Sequence, residues 1–185
     1  MSERKADVTC ATRETEVRVV LNLDGSGRDI VQTGLPLLDR MLALFARRSY
    51  FDLEVQCKAS EGSACTVEET AGCLGLAFHK ALGDRKNILR TGHAYAPVDE
   101  SLARAVVDIS GHPRLVYFVT APAPAPGCLG CGEIERFWKA FVSQAHVNLH
   151  IELTYGHETA AAGEAIFKAA AKALNDACRI VARRQ

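Results

Sequence analysis

Asp39-Arg40-Met41-Leu42-Ala43-Leu44-Phe45 matches Glu135-Arg136-Phe137-Trp138-Lys139-Ala140-Phe141: an acid, an arginine and a closing phenylalanine recur at a constant offset of 96 residues. The offset carries onward. Phe51-Asp52-Leu53-Glu54-Val55 falls on Val147-Asn148-Leu149-His150-Ile151, a strand pattern on a strand pattern. Ala64 and Cys65 fall on Ala160 and Ala161, and Glu68 falls on Glu164. Each unit reads as a helix, an alternating strand, a loop, and a second helix whose first turn carries a glutamate. A strand ending in Asp24-Gly25 precedes the first unit, and one ending in Ser110-Gly111 precedes the second. The duplication predicts one α+β domain of two repeated halves, about 12–95 and 96–185. Helices are expected on one face of the sheets, and the halves are expected to meet along the sheets.

Working outward, period-two segments mark strands at Glu16–Asp24, Phe51–Cys57, Ala105–Ser110, Leu115–Thr120 and Val147–Thr154. Helical periodicity marks Pro36–Arg48, Val67–Leu82, Glu133–Ala145 and Gly163–Val181. Pro36 suits a first helical turn, and Gly83 suits a helix C-cap. The stretch APAPAPG at 121–127 reads as a stiff extended loop, since proline fixes φ and offers no donor.

The chain has 185 residues, 48% hydrophobic and 24% charged, which excludes a disordered chain. Lys+Arg and Asp+Glu each number 22, so no overall field recruits nucleic acid or an anionic membrane, and zero net charge suits self-association. No run of 18 apolar residues exists, and MSERKADVTC has no apolar signal region, so a cytoplasmic protein is expected. The seven cysteines read mostly as small buried apolar residues. Cys128 and Cys131 form a lone C-x-x-C without the second ligand pair that a structural zinc needs. The six histidines read as solvated or interface side chains, with no i,i+4 pair on a helix.

Several of these stretches together carry a resemblance. TRETEVRVVLNLDGSG (12–27), TGLPLLDRML (33–42), TVEETAGCLGLAF (66–78), ALGDRKNILRTGHAYAPVDESL (81–102), VDISGHP (107–113) and LHIELTYG (149–156) stand in the order and spacing of the imidazoleglycerol-phosphate dehydratases of histidine biosynthesis. The resemblance implies a fold like the second domain of ribosomal protein S5, and homo-oligomers of trimers closed into a shell of twenty-four subunits. It also implies two manganese ions held by histidines and glutamates at subunit contacts, which bind the substrate's imidazole and assist the loss of water.

This chain departs from the family's ligand pattern at each histidine. The family's Leu-Asp-His-Met reads Leu38-Asp39-Arg40-Met41 here, and its His-His-Thr-x-Glu-Asp reads Ala64-Cys65-Thr66-Val67-Glu68-Glu69. The histidine before Phe-Phe is Arg136, and His-His-x-x-Glu is Ala160-Ala161-Ala162-Gly163-Glu164. A further active-site histidine at the end of the first helix is Arg48. The remnants of the catalytic set are Glu14, Glu68 and Glu164. Arg90, His112 (in place of the family's arginine) and Lys168 match phosphate-holding positions. The sequence ends at Ala182-Arg183-Arg184-Gln185 without the family's Ser-Thr/Ser-Lys-Gly stretch.

Two glutamates without imidazole make a weak manganese site, so no metal and no other cofactor is expected. A buried carboxylate needs a cation, and the arginines at 40, 48 and 136 are expected to face Glu68, Glu69 or Glu164 of the same or a neighbouring chain. Two readings follow. One is a non-catalytic relative that keeps the fold and assembly, alone or beside an active homologue. The other is an enzyme, either still a dehydratase (a carbon–oxygen lyase) or turned to a new reaction. For a new reaction Cys65 would be the nucleophile, with Glu68 or Glu69 beside it.

Overall fold

The computed structural model describes residues 4–59, 66–120 and 129–181. The first half runs β1 (Lys5–Ala11), β2 (Thr15–Asn22), β3 (Asp29–Gln32), α1 (Pro36–Ser49), β4 (Asp52–Ala59) and α2 (Val67–Leu82). The second repeats it: β5 (Thr91–Val98), β6 (Ser101–Asp108), β7 (Arg114–Phe118), α3 (Cys131–Ala145), β8 (Asn148–Tyr155) and α4 (Thr159–Cys178). The sheets have the same order, β1-β2-β4-β3 and β5-β6-β8-β7. In each, the last strand pairs in parallel with its neighbour, and a helix crosses between the two.

The register shows how the duplication is built. Val19 pairs with Val55, and Ala105 with Ile151. Ile30 pairs with Glu54, and Val116 with His150. The first three strands of each half are therefore 86 residues apart, while everything from α1 onward keeps the 96-residue offset. Ten additional residues lie in the connection between β7 and α3, which includes the proline-rich 121–127 outside the described residues. That insertion is why a single offset reveals only the later part of each unit.

Three strands escape a reading of hydrophobic alternation: β1, β3 and β5. β1 turns Ala6 and Val8 inward between charged residues, as an edge strand with one covered face does. β5 buries Gly92 and Ala96, residues too small to register as a hydrophobic face. A Cβ on Gly92 would come 2.2 Å from the Ala173 carbonyl oxygen of α4, so the bare backbone is what lets sheet and helix meet. Pro97 is tolerated because β5 is an edge strand. With β1 in the first half and all of β5 in the second, the halves divide in the turn after α2, ahead of the expected boundary at 95/96.

The helices do cover one face of each sheet, but the halves do not meet along the sheets. α2 packs on β1 and β2 and against α3; α4 packs on β5 and β6 and against α1. The helices thus form the interior of a sheet–helix–sheet stack. An aromatic chain fills the centre, with ring centroids of Phe45 and Trp138 6.2 Å apart and of Phe78 and Phe141 5.6 Å apart. A sheet whose inner face is already covered by its own helices has no apolar face left for the other sheet, so the helices' remaining faces make the junction.

Candidate functional site

Local chemistry sets each helix that carries a site residue. At the start of α1, Asp39 accepts hydrogen bonds from the Thr33 backbone N–H (2.9 Å) and hydroxyl (2.5 Å), which fixes the entry into the helix. Arg40 follows on the solvent side. Thr66 and Glu69 form a capping box on α2: Glu69 N–H donates to Thr66 Oγ1 (3.1 Å), and Thr66 N–H donates to Glu69 Oε2 (3.0 Å). Glu68 therefore stands at the second position of that helix. On α3, Glu133 accepts from the Gly130 N–H at 2.9 Å and fixes the turn that precedes Arg136. α4 begins at Thr159, four residues before the expected start, so Glu164 lies in its second turn.

The two arginines are brought to the two glutamates in reciprocal fashion. Arg40 of α1 forms an ion pair with Glu164 of α4. Arg136 of α3 pairs with Glu68 of α2, Nε to Oε1 3.2 Å. Arginine and glutamate of each pair come from opposite halves, and the pseudo-two-fold axis exchanges one pair with the other. The pairs differ in burial. The Glu164 side chain is 18% exposed and that of Glu68 is 47% exposed. Beside the first pair, Leu37, Met41, Leu129, Ile134, Ala160 and Gly163 line a cavity of about 50 Å³. That is room for a water or two, well below the roughly 300–1,000 Å³ of sites for drug-sized ligands.

The other expected residues are placed as follows. Arg48 is exposed in the last turn of α1 and forms no ion pair among the described residues, so it is not paired with Glu68, Glu69 or Glu164 of its own chain. Glu69 does not face an arginine either. Its carboxylate accepts from Thr66 N–H and from the Thr15 hydroxyl (2.9 Å), and these bonds hold its pKa below the ordinary value. Glu14 is exposed in the β1–β2 turn. Arg90 is paired with Asp108 (3.0 Å), His112 is exposed, and Lys168 is half-buried on α4. Ala160 is half-buried and Ala161 buried. Ala64, Cys65 and Cys128 lie outside the described residues. Among the described residues no group of three or more His, Cys, Asp or Glu side chains could hold a metal.

Two features depart from the cysteine and histidine readings. Cys73 and Cys178 are buried free thiols, and Cys10 and Cys131 are half-buried free thiols, but Cys57 is disulfide-bonded. His79 and His146 come together, ring centroids 4.7 Å apart, where α2 and α3 end. Arg85 donates to His79 Nδ1 at 2.7 Å; a guanidinium only donates, so the ring's proton sits on Nε2. Burial, then Arg85 and His146, hold the His79 pKa below its ordinary value. A lone histidine near a helix end gives no hint of this, because its partners lie 6 and 67 positions along the chain.

Twin α+β halves joined through their helices, with a guanidinium–carboxylate pair crossing each junction, define a duplicated sheet–helix–sheet protein. The family model for imidazoleglycerol-phosphate dehydratase matches residues 33–174, and the chain belongs to that family of histidine-biosynthesis lyases. It is 46% identical over 180 residues to the imidazoleglycerol-phosphate dehydratase of Pelotomaculum thermopropionicum, covering 96% of this chain and 92% of that one. Identity to the Pseudomonas aeruginosa enzyme of the same name is 41% over 182 residues, 97% of this chain and 92% of the relative. The fold superposes on the crystal structure of the Staphylococcus aureus dehydratase with a TM-score of 0.83 at 29% identity, over 96% of this chain and 99% of that one. The Pyrococcus furiosus structure shares the fold, at a TM-score of 0.79 and 22% identity over 96% of each chain. Among the described residues no helix is long and apolar enough to cross a membrane.

Proposed function

We propose that this chain is a non-catalytic member of the dehydratase family, one that keeps the fold and assembly while its two-manganese chemistry is gone. The observation that carries this reading is the pairing of Arg40 with Glu164 and of Arg136 with Glu68. By the family resemblance, all four are ligand positions, and in this chain the two glutamates are already neutralised by guanidinium groups. The donor set does not fit manganese: imidazole is replaced by arginine or alanine at the described positions, and arginine offers no lone pair to a cation. No reaction step is therefore assigned to a metal. The reading includes a cytoplasmic homo-oligomer of trimers in a twenty-four-subunit shell, alone or mixed with an active homologue.

A second reading has its own support. Identity of 41–46% over nearly the whole chain to relatives named as dehydratases suits a working enzyme that converts imidazoleglycerol phosphate to imidazole acetol phosphate. One experiment separates the two: assay the purified protein with imidazoleglycerol phosphate and manganese, and measure bound metal by elemental analysis. The non-catalytic reading expects no turnover, no stoichiometric manganese and no change of melting temperature on adding manganese, since a ligand of the native state raises it by mass action. Manganese-dependent turnover would overturn it.

A further inference from the structure

The inner face of the first sheet, away from the Arg–Glu pairs, brings two free thiols together. Cys10 points inward from β1 on the same side as Ala6 and Val8, and pairs across the ladder with Val17. From α2, Cys73 drives its Sγ down to the Val17 carbonyl oxygen at 3.3 Å and the Val8 carbonyl oxygen at 3.8 Å, the residues that flank Cys10 across and along the strand. Both are free thiols; Cys73 is 1% exposed and Cys10 is half-buried. Burial, followed by Cys10 itself, pushes the Cys73 thiol well above its ordinary pKa.

We propose that Cys10 and Cys73 are an oxidation site for hydroperoxides, closing to a disulfide that ties edge strand β1 to helix α2. Accessibility assigns the order of events. The Cys10 thiolate attacks one peroxide oxygen, the O–O bond breaks, and Cys10 becomes a sulfenic acid; the expelled hydroxide takes up the proton that Cys10 released on ionising and leaves as water. Cys73 then attacks the Cys10 sulfur; the S–S bond forms, the S–O bond breaks, and the departing hydroxide takes the Cys73 proton to leave as water. In sum two thiols and one hydroperoxide give one disulfide and two waters (with an organic hydroperoxide, one water and one alcohol). The high pKa of Cys73 makes the second step the slower one, because the thiolate is the attacking form. The bond closes the chain from 10 to 73, and a loop of that length stabilises through the unfolded state.

The test uses the full-length protein carrying Cys57→Ser, so that the Cys57 disulfide neither breaks nor re-forms, reduced and then treated with limiting hydrogen peroxide. Remaining thiols are alkylated, and the protein is digested and read by mass spectrometry. The expected result is a Cys10–Cys73 cross-linked peptide as the main new disulfide, with a melting temperature about 5 °C or more above that of the reduced protein and restored by dithiothreitol. Cys10→Ser, at a half-buried position that serine tolerates, should abolish both the peptide and the shift. Cys10 recovered as a free thiol or sulfinic acid while Cys73 is alkylated, or a shift that persists in Cys10→Ser, would overturn the proposal.

Discussion

The two helix junctions are equivalent by the pseudo-symmetry and unequal in construction. At the α2–α3 junction the backbones touch: a Cβ on Gly75 would lie 2.3 Å from the Phe141 carbonyl oxygen and 3.1 Å from the Ala145 nitrogen. Phe78 against Phe141 and His79 against His146 extend that contact along the helices. The ion pair here, Arg136–Glu68, lies out in solvent. At the α1–α4 junction Ala171 stands where Gly75 stands in the other half, and the ion pair sits on a half-buried glutamate beside a small cavity. One junction is held by backbone proximity and aromatic packing; the other leans more on its charge pair. Duplicated halves share a topology, and each side chain then answers to its own surroundings.

The largest effect is expected from Gly75→Ala. Alanine gains about 1 kcal/mol in helix propensity, but the clash is with backbone that cannot rotate away. A net loss of about 2 kcal/mol, or roughly 5 °C in melting temperature, is expected by calorimetry. Gly92→Ala should cost a similar amount, because the Ala173 carbonyl blocks it. Tolerance of Gly75→Ala would remove the structural contrast between the junctions.

Next in size are the ion pairs. Arg40→Ala leaves Glu164 half-buried without its cation and should cost about 1 kcal/mol in urea unfolding, whereas Arg136→Ala should cost less than about 0.5 kcal/mol. The order matters more than the values. Equal losses, or the reverse order, would mean that burial of the glutamate does not set the strength of the pair. Raising the salt concentration should weaken the Arg136 pair more than the Arg40 pair.

The smallest effect lies at the histidines of the α2–α3 junction. The folded-state pKa of His79 is lowered, so neutral His79 is the form the native state prefers. Above pH ~6.5 both states are neutral and its contribution is complete; below ~6.5 the unfolded chain takes up the proton first and the contribution fades. Urea midpoints measured at neutral and mildly acidic pH should therefore fall less in His79→Gln than in the unmodified protein. Asp52 and Glu69, whose folded-state pKa values are lowered by Arg28 and by Thr66, lose their contribution only at more acid pH, so the histidine's window stands apart. An identical pH response in the variant would remove His79 from the account.

Much of this was legible in the chain itself. The repeat of Asp39-Arg40 in Glu135-Arg136 and of Glu68 in Glu164 determined the duplication, and hydrophobic periodicity determined the four helices and the strands β2, β4, β6, β7 and β8, because long apolar periodicities are local properties of sequence. The family was legible too, since it is a matter of residue identity. Three things were decided only in the tertiary structure. β5 is a strand because α4 approaches the bare backbone at Gly92, a steric fact between residues about 80 positions apart. The halves join through helices because each sheet has only one apolar face and its own helices cover it. The partners of Arg40 and Arg136 lie in the opposite half, 124 residues away for Arg40 and Glu164, while Arg48 forms no ion pair among the described residues. Charge is written in the sequence, but distance is not, and an ion pair depends on both.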